Sequence, residues 1–390
     1  MMDKSHNPSH FPIREVAFAW LFSRAAIWLF VMLGHARATQ SAPVTGKIGG
    51  WEGVSSDWLS PWTTFDSRYF LDIAREGYTP VRTAFFPLYP ALLLVLSGGS
   101  NNANTLALVG IAVSNLAFLL ALSWLYALTR DEWGEAVARR ALWLEAFFPS
   151  AAFGAAVYSE SLFLALSLGL FWFARQKKWR PSALCGILAG LTRNSGPVLT
   201  LALLLDRPRT ALSPRESRQR LFVALCPLAA FIAVQLAFRA QFGRALASLA
   251  SQHEFGRLAK PVFPVVPLWL DARNLITHAD TWRDFITLPQ LVACLVTLAL
   301  LAAFWRRFSP GKLLFVGAIV LLNLSLSWIG EPHTNSTMRF LLATFPFVQL
   351  LALAWGGISS SWRASFCAGA IYFALFTMQC FLFGLKQFQG

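Results

Sequence analysis

Ten apolar runs follow one another along this chain of 390 residues, at 14–35, 105–128, 137–157, 158–174, 181–205, 221–240, 289–305, 312–329, 339–356 and 363–385. A helix needs about 20 mostly apolar residues to cross a bilayer. So many runs of that size constrain the fold more than any other feature. They predict an all-α polytopic membrane protein, because in hydrocarbon each backbone N–H and C=O must be satisfied within the chain. Charged residues make up 13% of the sequence, about half the share in soluble domains, which excludes disorder and most soluble folds. The formal net charge of +14 would suggest nucleic acid in a soluble protein. Here it reads as basic cytoplasmic loops, with membrane lipids rather than nucleic acid as the partner.

Loop charges set an orientation. Residues 175–180 carry four positive charges and no negative one, 206–220 carry five arginines against Asp206 and Glu216, and 306–312 hold Arg306, Arg307 and Lys312. These segments are expected inside. Residues 37–84, with five charges of each sign, and 241–288, with five positive and four negative, are expected outside. The scheme closes if 181–205 enters and leaves on the cytoplasmic side. Its break at Thr192–Pro197 suits a re-entrant hairpin, which is tolerated where protein or a watery cavity surrounds it. The short run Phe85–Leu96 is expected to lie along the outer leaflet, extending the first outer loop over 37–104. The whole chain, 1–390, reads as one membrane domain. Its first apolar run, 13–34, is too long for a signal-peptide core. The five cysteines fall in apolar runs without metal-like spacing and are expected to be buried and unpaired.

Several polar residues interrupt this background. Asp66, Tyr69, Phe70 and Ile73 share one helical stripe, and a carboxylate among large apolar residues is costly without a partner or a task. The alternative for Asp66 is a helix N-cap. Asp72, alternating with Arg68, Arg75 and Glu76, suits pairing on a helix surface. Phe85-Phe86-Pro87-Leu88-Tyr89-Pro90 forms a stiff, aromatic helix entry. Glu160 follows Tyr158 and Ser159 near the outer boundary, either as an exposed loop acid or as a group lining a site. Arg193, beside Asn194, breaks an apolar segment and calls for a cavity or an ion-pair partner. Arg339, after His333, either clamps a phosphate with its planar fork or snorkels to the interface. The six histidines are scattered, and there is no P-loop, HExxH or GxSxG motif.

The pattern Asp66-Ser67-x-x-Phe70-Leu71-x-Ile73-Ala74-x-x-Gly77-Tyr78, followed by Phe85-Phe86-Pro87-Leu88-Tyr89-Pro90, resembles the first-loop signature of PIG-V-type mannosyltransferases. Tyr158-Ser159-Glu160-x-Leu162-Phe163, Thr192-Arg193-Asn194-Ser195-Gly196 and Met338-Arg339-Phe340 are similar to later blocks in the same order. The resemblance implies a GT-C-like bundle of about 10–11 helices, with juxtamembrane helices in the first outer loop. It also implies a polyprenyl- or dolichyl-phosphate sugar donor, a lipid, glycan or protein acceptor on the extracytoplasmic face, and Asp66 as the catalytic base. Arg193, Arg339, Glu160, Tyr158, Asn194 and His333 would line the site or hold the donor phosphate. Arg68, Tyr69, Asp72, Tyr78 and Tyr89 would support the loop. No cofactor is expected. Residue 68 is Arg where the wider superfamily has a DxD-like pair, which weakens the case for a metal. The membrane would be the cell membrane in a prokaryote and the endoplasmic reticulum in a eukaryote. A transporter or flippase, or a non-catalytic assembly subunit, remains as an alternative.

Overall fold

In a computed structural model of the chain, the described residues are 12–40, 51–208, 210–255, 257, 261–277, 281–327, 332–358 and 361–386. Among them the protein is all-helical, with no strand. Among the described residues five helices are long and apolar enough to cross a membrane: α1 (Ile13–Gln40), α4 (Ala103–Trp133), α9 (Pro214–Phe242), α12 (Thr281–Phe304) and α16 (Trp362–Gly384). They make the chain a multi-pass membrane protein. α1 and α16 cross closely through glycines, since a Cβ on Gly34 would stand 2.1 Å from the Phe381 carbonyl oxygen and one on Gly384 would stand 2.0 Å from that of Val31. Without Cβ atoms the two backbones pack directly, the usual basis of close helix contact in lipid.

The remaining helices are shorter. α2 (Ser67–Glu76) and α3 (Leu88–Leu96) lie in the first long loop, and α3 at nine residues is only about 13 Å long. α5 (Glu135–Ala146) and α6 (Glu160–Arg175) pack on α4. The expected span 137–157 is therefore not one helix: α5 stops at Ala146, and residues 147–159 run irregularly through the buried core. Phe148-Pro149 halts the helix, and the freed backbone is satisfied locally, for example by Ala151 N–H to the Phe148 carbonyl and Val157 N–H to that of Trp62. The segment 181–205 divides into α7 (Trp179–Gly190) and α8 (Gly196–Leu205). Each half is about 15–18 Å long, too short to cross alone.

α10 (Ala247–Ala250) and α11 (Val265–Thr277) occupy the second long loop, followed by α12, α13 (Pro310–Ser325), α14 (Thr337–Leu342) and α15 (Phe345–Ile358). The expected run 339–356 is thus split between α14 and α15. The five cysteines are free, and Cys367 is exposed on α16 where burial was expected. Glu331, two residues before His333 in the same polar stretch, lies outside the described residues.

The polar segments sort to two ends. At one end, Lys177 pairs with Glu216 at 2.8 Å, Ser309 hydrogen-bonds Asp206, and Lys312 pairs with Glu132, which also attracts Arg175 at 3.6 Å. These contacts gather the three basic segments. At the other end the two long loops meet, where the Thr83 hydroxyl donates to the Ala247 carbonyl at 3.1 Å.

Candidate functional site

Between the two long loops and the turn linking α7 to α8 lies a cavity of about 560 Å³. Its floor is built by α2, whose first turn approaches α14. Asp66 occupies the N-cap position of α2 with helical dihedrals, and its side chain makes no capping bond. The carboxylate instead faces Arg339, with Oδ2 2.7 Å from Nη1. A capping aspartate accepts a backbone N–H of its own helix, so the cap alternative fails.

Behind this pair stands Glu160, at the start of α6, with no side-chain exposure. Its Oε1 receives Arg339 Nε at 2.6 Å and Arg193 Nη1 at 2.7 Å, while Oε2 has no hydrogen-bond partner among the described residues. The exposed-acid alternative for Glu160 therefore fails, and so does the snorkelling alternative for Arg339, whose side chain is 8% exposed. Arg193 reaches Glu160 because α7 ends at Gly190 and the chain turns into the cavity before α8. Two guanidiniums on one carboxylate oxygen form a rigid chain, Asp66–Arg339–Glu160–Arg193. Burying such charges is offset only by close pairing of this kind.

Two non-glycine residues beside the chain have left-handed backbones, Phe65 at φ 56° and Ser336 at φ 70°. Both line the cavity. Such conformations cost of order 1 kcal/mol each and persist where the surroundings fix them, often at functional sites. Here one sets the direction of Asp66 and the other the start of the helix that carries Arg339.

The other residues singled out in the sequence divide in two. Arg68, Tyr69 and Asn194 line the cavity, with Arg68 packed 4.6 Å above the Tyr69 ring. Tyr158 lies beneath it: its hydroxyl accepts the Asp66 N–H at 3.1 Å and donates to the Thr64 carbonyl at 3.3 Å. Tyr89 is a step further back, bonded to the Gly110 carbonyl and Ser114, and Ser114 in turn bonds the Tyr158 carbonyl. The Tyr78 hydroxyl donates to the Phe85 carbonyl at 2.9 Å, and burial makes it a weaker acid, with its pKa pushed well above the usual tyrosine range. Asp72 accepts from the Trp51 indole at 2.7 Å and pairs with Arg82 at 3.4 Å, away from the cavity. His333, expected near the donor, does not line the cavity. Its backbone N–H and that of Thr334 both donate to the buried Asp271 at 2.8 Å, so this segment serves as a strut for α14.

Among the lining residues that were not singled out, one carries a buried charge. Arg257, from the second long loop, is 8% exposed and donates through Nη1 to Asn323 Oδ1 at 3.1 Å and to the Leu326 carbonyl at 2.9 Å. Burial, and then the nearby Arg339, pull its guanidinium down to about 10, which leaves it charged near neutral pH. Its sequence neighbourhood carries no motif, and an arginine in a long loop gives no signal by itself. Among the described residues no cluster of three His, Cys, Asp or Glu side chains is placed to hold a metal ion.

Residues 50–197 match the family model Mannosyltransferase (PIG-V). A segment of 138 residues is 30% identical to GPI mannosyltransferase 2 of Schizosaccharomyces pombe, and it covers 35% of this chain and 30% of that protein. Solved structures of an Archaeoglobus fulgidus oligosaccharyltransferase superpose with TM-scores of 0.46 and 0.45 at 14% and 13% identity. They cover 95% of this chain and 53% and 55% of those chains. The chain thus spans about half of those structures and less than a third of the curated relative. The matched segment includes Asp66, Tyr158, Glu160, Arg193 and Asn194. Arg257 and Arg339, which complete the cavity, come from outside it.

Proposed function

We propose that this mannosyltransferase-like chain moves a hexose, by preference mannose, from a polyprenyl-phosphate donor to a hydroxyl of a lipid, glycan or protein acceptor on the extracytoplasmic face. The observation that carries the reading is Asp66: a carboxylate at the wall of a cavity, aimed by an arginine and released from any capping duty. In the transfer the acceptor O–H proton passes to an Asp66 oxygen as the acceptor oxygen attacks the anomeric carbon. The bond from that carbon to the phosphate oxygen breaks, and its electrons leave on the phosphate. One displacement inverts the anomeric centre and asks for no second carboxylate as nucleophile. Glu160, locked between two arginines, suits a structural part.

The charges also suit such a donor. Arg68, Arg193, Arg257 and Arg339 face Asp66, Glu160 and Glu254 in and behind the cavity, which leaves one positive charge over. A phosphodiester carries one negative charge and builds up more on the leaving oxygen, where fixed guanidiniums stabilise it. An aromatic wall of Phe65, Tyr69, Phe70, Phe85 and Phe340 offers flat surfaces for a sugar ring and for the first isoprene units.

The test is transfer from radiolabelled polyprenyl-phosphate mannose in membranes that hold the wild-type chain or its Asp66→Asn variant, with extraction of the labelled acceptor. Label should enter an extractable product only with the wild type. Equal labelling by both would sink the reading, and with it the case against a non-catalytic subunit.

A further inference from the structure

We infer that Arg257 is the guanidinium that grips the donor phosphate. This rests on reading the cavity as a site for a lipid-phosphate sugar, and it assigns within that site a task expected above of Arg193 or Arg339.

Arg68 stands exposed at the cavity, while three more deeply placed arginines from three parts of the chain also line it, and their partners separate those three. Arg193 and Arg339 are both held by Glu160, and Arg339 by Asp66 as well. A phosphate drawn to either would compete with a carboxylate already at 2.6–2.7 Å. Arg257 has only neutral acceptors among the described residues, an amide oxygen and a backbone carbonyl, both on Nη1. Those two bonds fix the plane of the guanidinium, and its Nε and Nη2 edge has no hydrogen-bond partner among the described residues. A planar edge of two parallel N–H donors is the shape that binds two phosphate oxygens at once.

Position supports the same assignment. The Arg257 guanidinium lies 5.4 Å from the Phe340 ring centroid, and Arg193 and Arg339 flank the same ring at 5.5 and 5.7 Å. Three like charges around one ring repel, and two of them are neutralised by carboxylates. Of the three around this ring, the charge without a carboxylate partner among the described residues is that of Arg257. Its anchor, Asn323, also donates to the Asn335 carbonyl and the Thr337 hydroxyl at the head of α14. The phosphate-gripping residue and the helix that carries Arg339 are thus tied to one amide, so a phosphate on Arg257 sits within reach of the Asp66–Arg339 pair without breaking it.

The experiment is equilibrium binding of tritiated undecaprenyl phosphate to the full-length protein in lipid nanodiscs, beside undecaprenol, the same chain without the phosphate. Wild type should favour the phosphate. R257Q should weaken the phosphate by about 10–100-fold, the size of a lost charge-assisted pair, and leave undecaprenol unchanged. R257K, which keeps the charge and loses the fork, should fall between, and it carries the test if R257Q is not recovered as a monodisperse protein. R244Q, at an exposed arginine of the same loop, should match wild type. Equal losses on phosphate and alcohol, no loss in R257Q, wild-type phosphate affinity in R257K, or no preference for the phosphate in wild type would each overturn the assignment. Phosphate binding that depends on Arg257, without any sugar transfer, would overturn the transferase reading and leave this one standing. Transfer with phosphate binding indifferent to Arg257 would do the reverse.

Discussion

Arg339 Nη1 lies 2.7 Å from Asp66 Oδ2 while Nε of the same side chain lies 2.6 Å from Glu160 Oε1. One planar guanidinium thus connects a carboxylate at the cavity wall with one that has no access to solvent. The two acids, 94 residues apart in sequence, are given different environments by their position around one arginine. The partner at the cavity wall can exchange a proton with a bound hydroxyl, and the fully buried one can only hold its neighbours in place.

The first consequence concerns the two aspartates of α2. Asp66→Asn keeps the size of the side chain and removes the proton acceptor, so transfer should fall by about 10²–10⁴-fold. Asp72→Asn weakens half-buried pairs with Arg75 and Arg82 that lie away from the cavity, worth about 1 kcal/mol, and turnover should stay within a few-fold of wild type. Single-turnover rates of both variants, at saturating donor, separate the roles. A larger loss in Asp72→Asn would reverse them.

Asp66, Glu160, Arg193 and Arg339 were legible in the sequence because each is a charge set against an apolar stretch, where an idle charge is expensive. Their pairing was not legible: the partners come from the first loop, α6, the α7–α8 turn and α14, and no local spacing connects them. Arg257 was hidden for the opposite reason, since it stands in a polar loop where an arginine costs nothing until the fold buries it. The span error at 137–157 arose because hydropathy registers burial in protein and contact with lipid alike. Residues 147–159 are apolar through packing against α2, α4 and α14, and their backbone is free to leave the helix once protein satisfies it. His333 was misplaced because its neighbours resemble a site block, while the contact to Asp271 uses its backbone.

Tyr158 acts on Asp66 through the main chain. Replacing it by Phe removes the acceptor for the Asp66 N–H and the donor to Thr64, in a place the ring itself still fills. One orphaned buried amide costs about 1–3 kcal/mol. Because that amide belongs to the proposed base, part of the loss should appear in turnover. Tyr158→Phe should lower kcat about 10-fold or more with a smaller change in KM for donor. A change confined to thermal stability, with kcat intact, would reduce Tyr158 to a packing residue.

The charge count and the two polar ends make a joint prediction about orientation. Residues 37–84 and 241–288 should face outside, and 175–180, 206–220 and 306–312 should face the cytoplasm. In an otherwise cysteine-free background, Asp57→Cys should react with a membrane-impermeant maleimide in intact cells, and Lys178→Cys should react only after permeabilisation. Both positions are exposed, so a failure to label does not come from burial. Labelling of position 178 and not of position 57 would invert the protein and place the cavity on the cytoplasmic side.

Glu160 and Arg193 form a pair whose two halves should fail differently. Glu160→Gln removes the carboxylate that holds Arg193 and, beside Asp66, also holds Arg339 among the described residues, so two largely buried guanidiniums are left to repel each other. Breaking a buried pair in this way costs about 3–5 kcal/mol, and the variant should lose thermal stability in detergent together with activity. Arg193→Leu leaves Glu160 still bonded to Arg339 and adds an apolar side chain near the mouth of the cavity, where Arg193 is 12% exposed. It should insert and fold with a smaller loss of stability, and its main defect should be in donor affinity, because the positive field of the cavity falls by one charge. Melting temperatures and donor KM for both variants decide the matter. If Arg193→Leu proves as unstable as Glu160→Gln while the donor KM of its folded fraction is unchanged, Arg193 holds the fold and has no part in the site.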